Sequence, residues 1–203
     1  MEKPYASAAA RNAAPIAGVL RHELTNCSSV FEIGSGTGQH AVTFAAALPG
    51  VTWQTSDLRQ SHEAIRAWIA DAGLENVLPP WDFDVMTATT PDCKYDAVFS
   101  ANTAHIMSYE AVCRMFEITG AMLSEPGIFC LYGPFSRGGS FSTQSNAAFD
   151  ASLRTRNAAM GIRDLDDLEG LGRENGLELT RTYAMPANNL LTVWTGTASR
   201  CRG

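Results

Sequence analysis

No apolar run in the sequence approaches the roughly 18 residues that a membrane-crossing helix requires, so nothing in it marks a membrane partner. Basic charge is scarce: 15 Lys and Arg stand against 21 Asp and Glu, for a net charge of -6. That balance argues against a nucleic-acid partner, whose phosphates need clustered cations. Cysteine is sparse and unpatterned. Cys27, Cys93, Cys113, Cys130 and Cys201 form no C-x-x-C pair and no Cys/His cluster of zinc spacing, so no metal site is expected and the thiols read as reduced, in a cytoplasmic protein. The N-terminus lacks the core of a signal peptide, because Pro4, Arg11, Asn12 and Pro15 interrupt its alanines. At 203 residues the chain suits one sizeable domain, 1–203, and is short for two.

The stretch that is rich in information runs from 30 to 48. Val30-Phe31-Glu32-Ile33 reads as a short buried strand with an acid near its end. Gly34, Gly36 and Gly38 follow at alternate positions, with Ser35 and Thr37 between them, and Gln39 to Leu48 is an alanine-rich helical stretch. Glycine permits the positive φ of a tight reversal and leaves bare backbone for a ligand to lie against. The helix start adds free N–H groups that favour acceptor oxygens or negative charge. The dinucleotide fingerprint G-x-G-x-x-G fails, because position 39 is Gln. Val51 to Asp57 is β-prone and ends in an acid ~20 residues beyond the first glycine, the spacing at which a carboxylate accepts hydrogen bonds from ribose hydroxyls. Asp57 is therefore a second candidate contact, with capping of a helix from Ser61 to Ala72 as its alternative role and Ser61 able to cap that helix without help.

Elsewhere the pattern is that of a βα series. A helix is expected to start at Pro15, end near Thr25 and cover the cleft, after a polar segment holding Tyr5, Arg11 and Asn12. Asn76 to Val85 reads as a strand and loop whose Pro79-Pro80 pair places it at or near a sheet edge. Tyr95 to Ser100 is a continuous apolar strand, and the polar Asn102 and His105 that follow it face the crevice outside the strand ends. His105 titrates near neutral pH in its ordinary state and suits a base. A helix from Ser108 is expected to stop at Gly127, before a strand ending at Tyr132. Gly133 to Asn146 is a long Gly/Ser-rich loop, read as part of a substrate lid over 133–164, with Phe135 and Phe141 excluding water and the glycines allowing closure. Helices from Asn146 and from Leu165 (capped by Asp164) and a hairpin of Leu177–Met185 with Leu190–Thr197 complete the chain.

The acid-x-G-x-G-x-G string at Glu32 resembles the first motif of class I S-adenosylmethionine-dependent methyltransferases. The strings FEIGSGTGQHAVTFAAALP, WQTSD, FDV, DAVFSANTAHIMSY, LYGPF, SNAAFD, GIRDL and MPANNLLTVW resemble, almost end to end, the family known as domain of unknown function 938 or methyltransferase-like 26. One departure is visible: Thr103-Ala104 precedes His105 where a leucine is expected before the histidine. The resemblance implies an α/β, three-layer Rossmann-like fold, a seven-stranded mostly parallel sheet closed by a C-terminal antiparallel hairpin, and S-adenosyl-L-methionine as cofactor. It further implies that Glu32 acts through the loop on the cofactor's ammonium and that Asp84 receives the adenine amino group. The cofactor set is then Glu32, Gly34, Ser35, Gly36, Thr37, Gly38, Asp57, Leu58, Asp84, Val85, Ser100 and Asn102.

His105 and Tyr132 are the candidate bases. Tyr5, Arg11, Asn12, Phe135, Asn146, Arg163 and Asn189 are expected to hold a small polar substrate, with the two arginines suited to a carboxylate. The expected reaction is methyl transfer to an O, N or S nucleophile of a small molecule. A cofactor-binding module without catalysis, and a methyltransferase acting on tRNA or protein, are the alternatives. Acceptor atom and oligomeric state stay open at this point.

Overall fold

The computed structural model describes residues 3–197, and Cys201 lies outside them. In chain order the elements are α1 (Ser7–Glu23), β1 (Ser29–Glu32), α2 (Gln39–Ala47), β2 (Thr52–Asp57), α3 (His62–Ala72), β3 (Val77–Asp82), β4 (Tyr95–Ala101), α4 (Tyr109–Met122), β5 (Leu123–Gly133), β6 (Phe135–Arg137), β7 (Ser140–Phe141), α5 (Gln144–Arg156), β8 (Arg163–Asp164), α6 (Leu165–Glu174), β9 (Leu177–Met185) and β10 (Asn189–Gly196).

Seven strands form one sheet in the order β3-β2-β1-β4-β5-β10-β9. The first five run parallel, and β10 lies antiparallel to both β5 and β9. Alternation along the strands divides the core in two. Val30, Ala97, Phe99, Cys130 and Val193 pack with Ile16, Leu20, Ala41 and Phe44 of α1 and α2. Phe31, Val98, Phe129, Leu131 and Trp194 pack with Val112, Met115, Phe116 and Leu168 of α4 and α6. A sheet covered on both faces needs such apolar runs in its central strands, and the result is the three-layer Rossmann-like plan the resemblance implied. The strand order reverses between β1 and β4, which opens a crevice at their carboxyl ends.

As expected, β3 is an edge strand. Pro79 and Pro80 cannot donate to the ladder, and the register with β2 slips there. Side chains take over: Gln54 Nε2 donates to Pro79 O at 2.8 Å and Thr55 Oγ1 to Leu78 O at 2.8 Å.

Four expectations need correction. First, α1 begins at Ser7 rather than Pro15, which sits inside the helix. The alanines ahead of it are strong helix formers, and the entering chain is anchored by Ala6 N to Gln39 Oε1 at 3.1 Å and Trp68 Nε1 to Pro4 O at 2.8 Å. Second, α4 ends at Met122, and β5 starts at once, so Pro126 and Gly127 lie within the strand rather than ending the helix. Third, Ser61 makes no side-chain cap for α3. A 3₁₀ turn, Arg59–Ser61, leads into that helix, so Ser61 already has helical φ/ψ and its hydroxyl is out of position.

Fourth, the Gly/Ser-rich segment is no open loop. It folds as the β6–β7 hairpin, and β8 adds in parallel to β6. Gly138 (φ 59°) and Gly139 (φ 71°) form the two-residue turn between Arg137 and Ser140, as a primed hairpin turn requires. Their N–H groups donate to Asp166 Oδ2 at 3.0 Å and Asp164 Oδ2 at 2.8 Å. Gly138 and Gly139, expected to help allow closure, are thus tied to the junction of β8 and α6. Among the described residues no helix is long and apolar enough to cross a membrane.

Candidate active site

The three glycines all take positive φ, but for different reasons. A Cβ on Gly34 (φ 76°) would sit 2.6 Å from Thr103 Cγ2, and one on Gly38 (φ 87°) would sit 2.9 Å from Ile65 Cα. These two are demanded by the packing of the β4 loop and of α3. Gly36 (φ 58°) has nothing within 4 Å of its Cβ position, so only there does the missing side chain leave room for a ligand. Gly36 N donates to Asp57 Oδ2 at 2.7 Å and Leu58 N to Asp57 Oδ1 at 2.8 Å. Each carboxylate oxygen keeps a lone pair for a further donor, and Asp57 is half-buried at the lip of the crevice.

Beneath this loop Glu32 is 1% exposed. Its Oε2 accepts from Ser35 Oγ at 2.8 Å and from Trp53 Nε1 at 3.0 Å. Ser35 Oγ in turn accepts from Ser56 N at 3.1 Å. Burial pushes the Glu32 carboxyl up to about 7 against the pull of the Trp53 and Ser35 hydrogen bonds, with Asp57 adding to the rise. A carboxylate this poorly solvated gains most from a cation brought close by. Trp53 and Ser56 escaped the sequence reading, since only the pairing of β1 with β2 shows that they meet Glu32.

Next along the rim, His62 Nε2 donates to both Asp57 O and Trp81 O at 3.1 Å and sets the ends of β2 and β3 side by side. Phe83 N reaches Asp57 O at 3.1 Å. Asp84 is exposed and accepts from Met86 N at 3.0 Å, while Val85 is buried in the core. Leu58, next to Asp57, and Met86, two residues after Asp84, are exposed apolar side chains, which suits the face of a flat base. Thr37 Oγ1 receives Gln39 N at 3.4 Å.

At the end of β4 the chain turns through Asn102, which has a left-handed φ of 59° and donates its N–H to Tyr132 O at 2.9 Å. Ala187 and Asn188, at the mouth of β10, are left-handed as well. Such backbone gathers where a site has to be shaped. Ser100 was expected to touch the cofactor, but its side chain is fully buried, donating to Ile33 O at 2.7 Å and sharing a 2.6 Å hydrogen bond with Thr103 Oγ1. It braces the glycine loop against the β4 loop instead.

His105 is 7% exposed, with its ring 5.4 Å from that of Phe149. Burial, with Arg163 and then Arg156 nearby, pulls its imidazole down to about 4. The expectation of a proton taken up near neutral pH is therefore corrected: His105 is a neutral hydrogen-bonding group there. Arg163 was expected to hold a substrate carboxylate. Its guanidinium is instead consumed by backbone carbonyls, Nε to Ala104 O and Nη2 to Ala159 O at 2.9 Å each and Nη2 to Met107 O as well. With Gly161 N on His105 O at 3.0 Å, it clamps the His105 loop to the segment that follows α5.

Tyr132 is 1% exposed in the α1-side core, and burial raises its phenol above the ordinary value despite a hydrogen bond with Asn189. It is not a base at neutral pH. Phe135 is buried in the α4-side core rather than carried on an open lid. Asn146 is buried and ties Ser142 Oγ and Asn188 O together at 3.3 Å each, so its amide is a strut between α5 and the β9–β10 turn. Asn189 Nδ2 donates to Pro186 O at 3.1 Å. Tyr5 and Arg11 are exposed at the start of the chain and on α1. Asn12 is different, because its Oδ1 is buried without a hydrogen-bond partner. Donation from His40 Nε2 to Ala9 O at 3.1 Å holds this part of α1 on the start of α2, beside the glycine loop.

The model of a family described as protein of unknown function (DUF938) matches residues 3–196. Among solved structures, an O-methyltransferase family protein from Burkholderia thailandensis aligns with a TM-score of 0.81 at 14% identity over 93% of this chain and 57% of its own. The mitomycin 7-O-methyltransferase MmcR aligns at 0.82 and 16%, over 95% and 55%. PigF with SAH aligns at 0.76 and 18%, over 94% and 64%. The chain thus spans little more than half the length of the first two and just under two thirds of the third, and at these identities the likeness is one of fold.

Proposed function

The chain belongs to the family described as protein of unknown function (DUF938), and we propose that it is an S-adenosylmethionine-dependent methyltransferase acting on a small molecule in the cytoplasm. The observation that carries this is the cradle at Gly36, whose missing Cβ opens onto the crevice between the Asp57 carboxylate and the loop over buried Glu32. The fit is chemical as well as spatial. Asp57 would accept from ribose hydroxyls, Leu58 and Met86 would flank the base, and the Glu32 carboxyl would attract the ammonium through the loop. Asn12 Oδ1, an acceptor without a partner, suits an N–H donor at the same end. Two solved neighbours named as methyltransferases, and a third, PigF, that holds SAH, support the reading.

When bound, the cofactor supplies a methyl group on a positively charged sulfur, ready for a nucleophile. The protein's task is then alignment and exclusion of water. His105, held in one orientation by the Arg163 clamp on its loop, can accept a hydrogen bond from an acceptor hydroxyl and so aim a lone pair. Calorimetry with S-adenosylhomocysteine tests the reading directly: saturable one-to-one heat is expected, and no heat with that compound or with S-adenosylmethionine would sink it.

The two former candidate bases give a further expectation. Tyr132→Phe should leave turnover within about twofold, because the phenol is a core group. The rate–pH profile should show no inflection between pH 5.5 and 8 that disappears in His105→Ala, because the imidazole is already neutral across that range. An inflection lost with His105 would return it to the role of base.

A further inference from the structure

Between the β6–β7 hairpin and the β9–β10 turn lies a cleft of about 560 Å³, a size that holds a small ring-bearing ligand. Phe135, Phe141, Leu165, Ala184, Met185 and Leu190 supply its apolar walls. Arg137 is the one charged residue among the described residues lining it, and its guanidinium is held by Asp166 at 3.1 Å and Glu169 at 2.8 Å. Most of the neutral polar groups there are engaged within the protein. Ser136 Oγ donates to Asp164 at 3.0 Å, and the Asn188 and Asn189 amides donate to Ser145 Oγ at 3.2 Å and Pro186 O at 3.1 Å. An anion entering this cleft would lose water and meet only a guanidinium that two carboxylates already hold.

Its place on the sheet matters as much as its lining. Leu190 pairs with Gly133 across β10 and β5. A Cβ on Gly133 would lie 3.6 Å from His105 Nδ1 and 4.0 Å from Phe135 Cζ, so the bare side of Gly133 faces both the His105 ring and the Phe135 ring that walls the cleft. With strands ~4.8 Å apart, β10 lies two strands, or ~10 Å, from β4, about the reach left to an acceptor once a nucleoside covers the ends of β1 to β3 and its reactive end reaches β4.

We propose, resting on the methyltransferase reading above, that the acceptor is an uncharged, ring-bearing molecule lying in this cleft with a hydroxyl toward His105, rather than an anion held by Arg11 or Arg163. The two arginines expected to bind a carboxylate offer no such grip: one is closed off by three carbonyls and the other is exposed on α1.

The test uses 2-naphthol and 2-naphthoate, alike in size and opposite in charge state at pH 7, titrated against the full chain by ligand-observed NMR. Naphthol should bind at least about tenfold tighter than naphthoate. Phe141→Ala, at an exposed position that should not disturb folding, should weaken naphthol, and Phe141→Lys should weaken naphthol while strengthening naphthoate. Equal or tighter naphthoate binding to the unmodified chain, naphthol binding untouched by both Phe141 variants, or no binding of either probe overturns the assignment. S-adenosylhomocysteine is titrated alongside. Heat from it without naphthol binding sinks the acceptor class alone, whereas naphthol binding without that heat sinks the methyltransferase reading and the acceptor role with it.

Discussion

Replacing Glu32 with Gln is expected to weaken S-adenosylhomocysteine binding roughly 10- to 100-fold while the glycine loop stays folded. Gln preserves the shape and an acceptor oxygen for Ser35 and Trp53, and removes the charge. A charged partner in a dry setting is worth ~1.5–3 kcal/mol, and each ~1.4 kcal/mol is tenfold in affinity. The same substitution has a signature in the empty protein. Folding raises the Glu32 carboxyl from 4.5 to about 7, so between those values the folded chain holds a proton that the unfolded chain has released. The stability this confers is complete below 4.5 and is lost as pH rises through about 7. The swing is on the order of 3 kcal/mol, and Glu32→Gln should abolish it. In urea unfolding the variant therefore gains stability relative to the unmodified chain as pH climbs from 4.5 to 7. His105 works in the opposite sense. Its value falls from 6.5 to about 4 on folding, so its contribution is present above 6.5 and is lost as pH falls toward 4. A flat difference between Glu32→Gln and the unmodified chain would deny the buried carboxyl its environment. Unchanged S-adenosylhomocysteine binding would remove it from the site.

The parts of this site that were legible in the sequence are those governed by local backbone chemistry. A strand followed by alternating glycines and a helix can fold in few ways, so the loop, the edge position forced by Pro79-Pro80 and the terminal hairpin followed from periodicity and turn chemistry. What failed was anything decided by a distant partner. Arg163 looks like a ligand-binding cation until the carbonyls of Ala104, Met107 and Ala159 converge on it. Ser100 looks like a rim hydroxyl until Thr103 and Ile33 O take it. Phe135 illustrates a signal present but missed: the paired glycines at 138 and 139 mark a two-residue hairpin turn, and a hairpin there turns Phe135 inward. His105 shows the limit for titration, since an ordinary histidine is moved only by burial and by the arginines that the fold brings near.

The distinction between Gly36 and Gly38 yields the other large effect. Gly38→Ala should cost about 2–5 kcal/mol of stability. A left-handed φ of 87° costs an L residue ~1–2 kcal/mol, and the new Cβ, 2.9 Å from Ile65 Cα, forces α3 to shift for a further ~1–3 kcal/mol. The obstacle is backbone, so no rotamer change relieves it, and a domain of ordinary stability loses a large share of its margin. Gly36→Ala meets open space and should cost only the ~1–2 kcal/mol of its φ of 58°. The same methyl group projects into the cradle, where displacing a ligand from contact with bare backbone is worth ~1–3 kcal/mol, or roughly 5- to 150-fold in affinity for S-adenosylhomocysteine. Urea midpoints and calorimetric titrations of the two variants should thus rank them in opposite order, Gly38→Ala failing first in stability and Gly36→Ala in binding. If Gly36→Ala binds as well as the unmodified chain, the open side of that glycine faces only water, and the crevice must hold its ligand against some other part of the rim.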